Sequence, residues 1–222
     1  MIDVVTRHNA NLYSEALQQM FKLRHALLVE ERGWEDLRKT DGLERDQFDG
    51  PDATYLLAMQ DDMVVGSVRM MPTNAPHLLS DIFPHLVADS MVPRADDIWE
   101  MTRICVHKDH RYSRTRTPVI ADLTAGMFEH ALNLGLRAVT AVIEPFMVTR
   151  MLKSNWAVKP LGLPQEHNGM DCIAVSIQIV RETMDGIRLR HGLPDPLLSY
   201  VGIPRPAPLP MDMPVKVAQL VH

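Results

Sequence analysis

The stretch that decides the fold is residues 98–106, Ile98-Trp99-Glu100-Met101-Thr102-Arg103-Ile104-Cys105-Val106. Its β-branched and aromatic residues favour a strand, but two opposite charges, Glu100 and Arg103, interrupt the apolar run. In a regular strand, residues three apart point to opposite faces, so both charges cannot face solvent if both faces of the sheet are covered. A buried charge needs a partner. The two residues therefore belong to a functional site, to a structural ion pair or to an exposed edge strand.

Hydrophobic periodicity on both sides of this stretch predicts an alternation of strands and helices. The predicted strands are 2–6, 55–59, 63–71, 97–106, 138–144 and 171–180, and the predicted helices are 12–31, 118–134, 147–156 and 181–190. A charged segment, 35–52, lies between the first helix and a hairpin about Asp61-Asp62, and we expect it to be an ordered functional loop. The order of elements predicts an α/β fold, a three-layer sandwich around a mixed central sheet.

The chain is long enough to bury one full core, since it has 222 residues of which 46% are hydrophobic. We expect a single domain over residues 1–191. The segment 192–222 is rich in proline and predicts an extension that packs on the surface or is partly mobile.

Composition excludes several classes of protein. A net charge of -5 argues against nucleic-acid binding, which needs a basic surface. Cys105 and Cys172 lie in apolar strand-like stretches without metal-ligand spacing, which is typical of reduced, buried thiols. The histidines are scattered and predict no metal site. The N-terminus lacks the apolar run of a signal peptide and no stretch is long enough to span a membrane, so we expect a cytoplasmic protein without a membrane partner.

Charged residues beside apolar ones form the candidate site, namely Arg24, Trp34, Asp46, Asp49, Arg69, Glu100 and Arg103, with Trp34 as its aromatic member. Opposite charges held together in a cleft could bind a zwitterion such as an amino acid, since carboxylates hold the ammonium group and guanidinium groups hold the carboxylate. A salt-bridge network that pins the 35–52 loop to the sheet explains the same pattern. Both interpretations can be true together.

These residues resemble the acyl-homoserine-lactone synthases, the autoinducer synthases of bacterial quorum sensing. The resemblance rests on Arg24, Gly33-Trp34, Glu44-x-Asp46-x-Phe48-Asp49, Arg69 after Gly66, and Trp99-Glu100-x-x-Arg103, and it extends from the N-terminus to about residue 180. It implies an acetyltransferase-like fold. It also implies an acyltransferase reaction in which the α-amine of S-adenosylmethionine attacks an acyl thioester and its carboxylate then closes on the γ-carbon, expelling methylthioadenosine.

The resemblance assigns roles to individual residues. It implies that the S-adenosylmethionine site is formed by Arg24, Leu28, Trp34, Asp46, Asp49, Arg69 and Arg103. Leu28 departs from the family, which usually has an aromatic residue there. Glu100 is the candidate general base and acts with Arg103 in catalysis, because an amine must be neutral to attack. Backbone N–H groups at a splay of the central strands would hold the thioester oxygen. No separate cofactor is implied, since S-adenosylmethionine is a substrate.

The residues on the acyl side of the site resemble the family less closely. We assign the acyl pocket to Met101, Thr102, Val142, Glu144, Phe146, Met147 and Met151. Val142 stands where many members have a threonine associated with 3-oxo acyl chains, and a valine cannot donate that hydrogen bond, so we expect an unsubstituted or branched chain. Residues 159–165 resemble the subgroup that uses acyl-CoA. We expect acyl-CoA as the donor, with acyl carrier protein as the other possible partner.

Two other functions fit parts of the sequence. An acetyl-CoA-dependent N-acetyltransferase would have a glycine-rich pyrophosphate loop before the long helix, but residues 111–118 contain no glycine. A non-catalytic module that binds S-adenosylmethionine or CoA would leave Glu100 purely structural. Release of methylthioadenosine from S-adenosylmethionine and an acyl thioester distinguishes the synthase from these two other functions.

Overall fold

The structure is a computed structural model that describes residues 1–111 and 118–206. Within these residues, nine strands form one mixed sheet in the order β6-β8-β5-β4-β3-β2-β1-β9, and β7 pairs with β8. The strands are β1 (Ile2–Val5), β2 (Thr54–Gln60), β3 (Met63–Pro72), β4 (Ile98–Val106), β5 (Ala138–Ile143), β6 (Val158–Pro160), β7 (Gln165–His167), β8 (Met170–Gln178) and β9 (Leu198–Ser199). The helices are α1 (Ser14–His25), α2 (Leu78–Asp81), α3 (Val119–Asn133), α4 (Pro145–Lys153) and α5 (Arg181–His191).

Helices cover both faces of the sheet. On one face, α3, α4 and α5 bury apolar side chains such as Phe128 and Met184 against Val139 and other strand residues. On the other face, α1 packs over β1 to β3, and α2 packs over β5 and β8. These two covered faces confirm the predicted three-layer α/β sandwich with a mixed central sheet. They also explain why the charge of Glu100 on β4 is buried.

The hairpin between β2 and β3 forms at the predicted turn. Asp61 and Asp62 both have left-handed backbone conformations, with φ of 49° and 62°. Two consecutive left-handed residues match the right-handed twist of the strands that they join. The hairpin therefore brings Tyr55 of β2 opposite Arg69 of β3.

Strands β4 and β5 separate in the middle of the sheet. They pair in parallel only over Ile98–Glu100 and Ala138–Thr140, although β4 continues to Val106 and β5 to Ile143. Beyond that point β4 stays paired with β3, and β5 stays paired with β8. A gap thus opens directly after Glu100.

A β-bulge on β4 corrects the predicted orientation of the two charges. Arg69 pairs with Thr102, and Ser67 pairs with Cys105, so β4 contains one residue more than β3 between these pairs. Arg103 absorbs this extra residue with a φ of 54°. The bulge interrupts the alternation of side chains, and Arg103 points to the same face as Thr102. Glu100, two residues before Thr102, shares that face.

Two segments at the ends of predicted elements differ from the expected structure. The helix predicted over 12–31 is α-helical only to His25 and continues as a π-helix over Ala26–Glu31. Short π-helical turns of this kind occur often at functional sites.

The segment after α5 returns to the sheet, since β9 pairs with β1, and Leu197 and Leu198 are buried. The predicted extension therefore begins with residues that are part of the domain, and residues 207–222 lie outside the described part of the chain.

Gly66 provides a test of how closely α3 packs on β3. A Cβ atom at this position would lie 2.7 Å from Cγ1 of Val119 and 3.1 Å from the backbone oxygen of Cys105. We expect Gly66→Ala to lower the free energy of unfolding by about 1–3 kcal/mol, because the added methyl group overpacks this contact. Urea denaturation measures the change. Gly186→Ala is the matched control, since Gly186 lies on the exposed side of α5 with open space around it, and we expect this variant to be slightly more stable than the wild type.

Candidate active site

Six buried charges form a continuous network on the α1 face of the sheet. They are three arginines, Arg24, Arg69 and Arg103, and three carboxylates, Glu44, Asp46 and Asp49. The arginines come from α1, β3 and β4, and all three carboxylates come from the charged loop. Numbers of positive and negative charges are equal, so the network is neutral by itself.

Arg24 lies at the bottom of the network and is completely buried. Its Nη1 and Nη2 donate to the two carboxylate oxygens of Asp49 at 2.7 Å and 2.8 Å, and its Nε donates to Glu44. Burial alone would raise the pKa of Asp49, but the hydrogen bonds and charge of Arg24, together with the charge of Arg69, hold that pKa well below its usual value. Asp49 is therefore ionised near neutral pH.

Arg69 and Arg103 connect the same loop to the two central strands. Arg69 binds both oxygens of Asp46 at 2.5 Å and 3.0 Å, and its Nε donates to Oγ1 of Thr102 at 2.9 Å. Arg103 donates from Nη2 to Asp46 at 2.8 Å and to Glu44 at 3.1 Å. Arg69 also lies 2.9 Å from Asp49, so each of the three guanidinium groups contacts two acidic residues.

The loop itself is held in one conformation by local contacts. The backbone N–H of Asp46 donates to Asp49 at 2.9 Å, and that of Phe48 donates to Asp46 at 2.9 Å. The hydroxyl group of Tyr55 donates to Asp49 at 2.9 Å, and the Phe48 ring is buried beneath the Arg69 guanidinium group. The salt-bridge interpretation of the sequence pattern is therefore realised in the structure, whatever else the residues bind.

Glu44 is the residue of this network to which the sequence analysis assigned no role. It is fully buried and joins Arg24 to Arg103. Its place in the motif Glu44-x-Asp46-x-Phe48-Asp49 was the signal in the sequence that could have marked it as a site residue. Its burial could not be read from an 18-residue charged segment.

Glu100 lies on the same face but binds a different element. Its Oε2 and Oε1 accept hydrogen bonds from the backbone N–H groups of Leu78 at 2.9 Å and Leu79 at 2.6 Å, at the start of α2. Burial raises the pKa of Glu100 to about 7, against the opposing effects of these two hydrogen bonds and of the charges on Arg69 and Arg103. Near neutral pH this carboxyl group can therefore both accept and release a proton.

Trp34 and Leu28 lie beside the network in the apolar cluster under α1. Leu28 is buried within the π-helix, and its carbonyl accepts the backbone N–H of Trp34 at 3.0 Å. The Trp34 ring packs under the Arg32 guanidinium group, whose carbon is 5.6 Å from the ring centroid. Its Nε1–H is buried and has no partner within the described part of the chain.

The predicted acyl residues lie on both faces of the sheet. Met101 and Met151 belong to the core under α3, α4 and α5, whereas Val142 packs with the cluster under α2. Thr102 accepts the hydrogen bond from Arg69 and belongs to the ionic network. The structure thus does not bring these four residues to one wall.

The other three acyl residues lie around the start of α4. Glu144 precedes this helix and pairs with Arg32 at 3.1 Å, which links the end of the π-helix to the end of β5. Phe146 is 53% exposed and its ring contacts Arg150, while Met147 is half-buried. More than half of Phe146 is therefore open to solvent, so in this structure it is not enclosed as a pocket wall would be.

Residues 8–187 match the autoinducer synthase family. The chain belongs to the autoinducer synthase family. An isovaleryl-homoserine lactone synthase of Bradyrhizobium diazoefficiens is 38% identical over 194 residues, which cover 87% of this chain and 87% of that protein. An acyl-homoserine-lactone synthase of Pseudomonas aeruginosa is 26% identical over 194 residues, which cover 86% of this chain and 93% of that protein.

Solved structures agree with this assignment. The CoA-dependent acyl-homoserine lactone synthase BjaI, solved with SAM and isopentyl-CoA, is 36% identical and superposes with a TM-score of 0.86 over 92% of this chain and 94% of that one. An N-acetyltransferase from Lactobacillus plantarum, 19% identical with a TM-score of 0.51 over 81% of this chain and 99% of that one, shares the fold alone. This autoinducer synthase is therefore an acyl-homoserine-lactone synthase with an acetyltransferase-like fold, and the family and activity predicted from the residue pattern are confirmed. Within the described residues, no helix combines the length and the apolar composition needed to cross a bilayer.

Asp49→Asn tests whether the ionic network is required for stability. The substitution keeps the shape of the side chain but leaves Arg24 without its bidentate partner, and a buried charge that loses its partner typically costs about 3–5 kcal/mol. We expect a loss of that size in the free energy of unfolding, measured by urea denaturation. Asp41→Asn is the control, because Asp41 pairs with Arg45 on the surface and we expect little change there. Equal effects of the two variants would contradict a stabilising role for the buried network.

Proposed function

We propose that this synthase joins S-adenosylmethionine to the acyl group of an acyl-CoA and releases methylthioadenosine and an N-acyl-L-homoserine lactone. The choice of acyl-CoA over acyl carrier protein is supported by the relative named for isovaleryl-homoserine lactone and by the structural match to a CoA-dependent enzyme. The observation that carries the proposal is the position of Glu100. It is the last residue of β4 that pairs with β5, and it shares a face with the ionic network.

This position suits a general base between two substrates. The α-amine of S-adenosylmethionine attacks the thioester carbon and its proton passes to Glu100 directly or through water. The C–S bond then breaks, CoA leaves as its thiolate, and the proton held by Glu100 can pass to that sulfur. The oxygen that becomes negative can be held by backbone N–H groups of β4 beyond Glu100, where the described residues place no β5 partner. The carboxylate then displaces methylthioadenosine from the γ-carbon, a step that depends mainly on proximity.

Exposure divides the ionic network into a floor and a rim. The side chains of Arg24, Glu44, Asp49 and Arg69 are at most 2% exposed, whereas those of Asp46 and Arg103 are 10% and 9% exposed. We assign the rim pair to direct contact with the zwitterion, with Asp46 toward the ammonium group and Arg103 toward the carboxylate. Trp34 supplies an apolar wall and a free Nε1–H donor. The floor residues hold the rim in place.

The acyl chain is assigned to the gap between β4 and β5. Met101 and Met151 belong to the apolar core on the α3 side of the sheet, and Val142 packs with the cluster on the other face. Val142 offers no side-chain hydrogen bond, which supports an unsubstituted or branched acyl group. We further propose a cytoplasmic enzyme that needs no separate cofactor, and the free, buried thiols of Cys105 and Cys172 fit a reducing compartment.

The acyl donor is tested by presenting one acyl group on two carriers. Isovaleryl-CoA and isovaleryl acyl carrier protein are compared at equal concentrations with S-adenosylmethionine, and methylthioadenosine release is measured by chromatography. We expect a higher kcat/KM with the CoA thioester and an isovaleryl lactone identified by mass spectrometry. A large preference for the carrier protein would reverse the donor assignment, and no release with any acyl thioester would overturn the proposed reaction.

Glu100→Gln tests the general base. Removing the base should lower kcat by about 10²–10⁴-fold. We expect the fold to be retained, because the amide keeps the shape of the side chain and its oxygen can still accept one of the two backbone hydrogen bonds. The wild-type kcat/KM should rise with pH through about 7 as Glu100 loses its proton, and this limb should be absent from the variant. The control is Glu182→Gln on the exposed side of α5, which should behave as the wild type. Near-normal turnover in Glu100→Gln would exclude Glu100 as the base.

A further inference from the structure

The carboxylate of Glu100 is held by a backbone turn rather than by a side chain. Its two hydrogen bonds come from the N–H groups of Leu78 and Leu79, the first two residues of α2. The Leu79 side chain is fully buried against the sheet, in a cluster with Leu86 and Ala174. Whatever fixes the backbone of this turn therefore fixes the candidate base.

We propose that His77 is a positioning residue for the reaction, because its imidazole holds the turn that presents these two N–H groups to Glu100. His77 immediately precedes α2 and is completely buried. Its Nδ1 lies 2.9 Å from the carbonyl oxygen of Ala75, and the hydroxyl group of Ser80 donates to the His77 carbonyl at 3.0 Å. The backbone N–H of His77 donates back to Oγ of Ser80 at 3.3 Å. The inference rests on the proposed role of Glu100.

The ring of His77 acts as a neutral hydrogen-bond donor. A carbonyl oxygen can only accept, so the contact with Ala75 requires the proton on Nδ1 and leaves a lone pair on Nε2. Oγ of Ser80 lies 3.2 Å from the same Nδ1 and can share this proton as a second acceptor, since a hydroxyl oxygen carries lone pairs. Nε2 is buried without a partner within the described residues, and burial lowers the pKa of the imidazole. The ring therefore keeps its donor role at the pH at which Glu100 titrates.

The rest of the connection between β3 and β4 is tied down independently of His77. Oγ1 of Thr73 donates to the carbonyl of Ile98 at 2.7 Å and accepts the backbone N–H of Ala95 at 3.1 Å. Both ends of the segment 73–97 are thus fixed to the start of β4. The conformation of residues 75–80 is what remains to set the position of the two N–H donors.

The charged groups around Glu100 lie on two sides, so the effect of the turn on its pKa can be separated from the effect of the arginines on the sheet. Arg69 on β3 and Arg103 on β4 act on Glu100 from the sheet, and both remain paired with Asp46. On the α2 side the titratable groups are His77 itself and Asp81, and Arg94 acts on His77. A substitution at position 77 leaves the sheet charges in place.

The test compares His77→Phe with His77→Asn. Phenylalanine fills the space but has no donor, whereas the side-chain amide of asparagine can occupy the place of Nδ1 and donate to Ala75. The titration of the Glu100 carboxyl group is followed by ¹³C NMR of glutamate-labelled enzyme, with the signal identified by its loss in Glu100→Gln, and the pH dependence of kcat/KM is measured in parallel. In His77→Phe the hydrogen bonds to the ionised carboxylate should be weaker, which should raise the pKa of Glu100. The acidic limb of the kcat/KM profile should then move upward by roughly one pH unit. His77→Asn should restore the wild-type values.

His85→Phe is the matched control, since His85 is exposed in the 3₁₀ turn that follows α2. In this variant we expect Glu100 to titrate as it does in the wild type. Unchanged titration of Glu100 in His77→Phe, or an equal shift in His77→Asn, would overturn the inference. If His77→Phe fails to fold, Ser80→Ala removes the second tie of the same turn and should shift the titration upward by a smaller amount, and no shift there would likewise overturn it. The pKa of Glu100 could also shift in His77→Phe without any shift in the pH dependence of kcat/KM. That result would support His77 as the residue that positions Glu100, but it would exclude Glu100 as the base of the proposed reaction.

Discussion

The structure depends on burying six charges in one neutral network between α1, the 44–49 loop and the central strands. An isolated buried charge is strongly unfavourable, so each guanidinium group must be matched by carboxylates at hydrogen-bond distance. Loss of one partner costs about 3–5 kcal/mol, a large part of the roughly 5–15 kcal/mol by which a typical domain is stable. The network therefore orders the loop and the site together. Within it, only Asp46 and Arg103 at its rim keep an appreciable exposure to solvent.

Strand β4 places two different chemical functions within four residues. Its parallel pairing with β5 ends at Glu100, which opens a gap beside this residue, and its bulge at Arg103 turns a second charge onto the same face. Without the extra residue, Arg103 would point into the apolar core under α3. The left-handed conformation of Arg103 is thus a strained feature that the ionic network holds in place.

Glu100 shows how opposing environmental effects set the acidity of one group. Burial disfavours the charged form, whereas two backbone hydrogen bonds and two nearby arginines favour it, and the resulting pKa is about 7. An α-amino group has a pKa of about 7.7–8.0, so a base with a pKa near 7 is well matched to take its proton. The same carboxylate is a structural partner of α2 and a candidate catalyst, and these two roles do not exclude each other.

The sequence by itself determined the three-layer fold, the hairpin about Asp61-Asp62 and the family, because these follow from hydrophobic periodicity, local turn chemistry and residue identity along the chain. Five of the six members of the ionic network were also among the site residues that the sequence pattern predicts. The buried position of Glu44, the bulge at Arg103 and the contact of Glu100 with α2 were decided only by the tertiary structure. The pairing of β9 with β1 and the division of the acyl residues between two faces were decided there too. Each of these depends on partners distant in the chain or on one extra residue in a strand, and neither leaves a periodic signal in a single sequence.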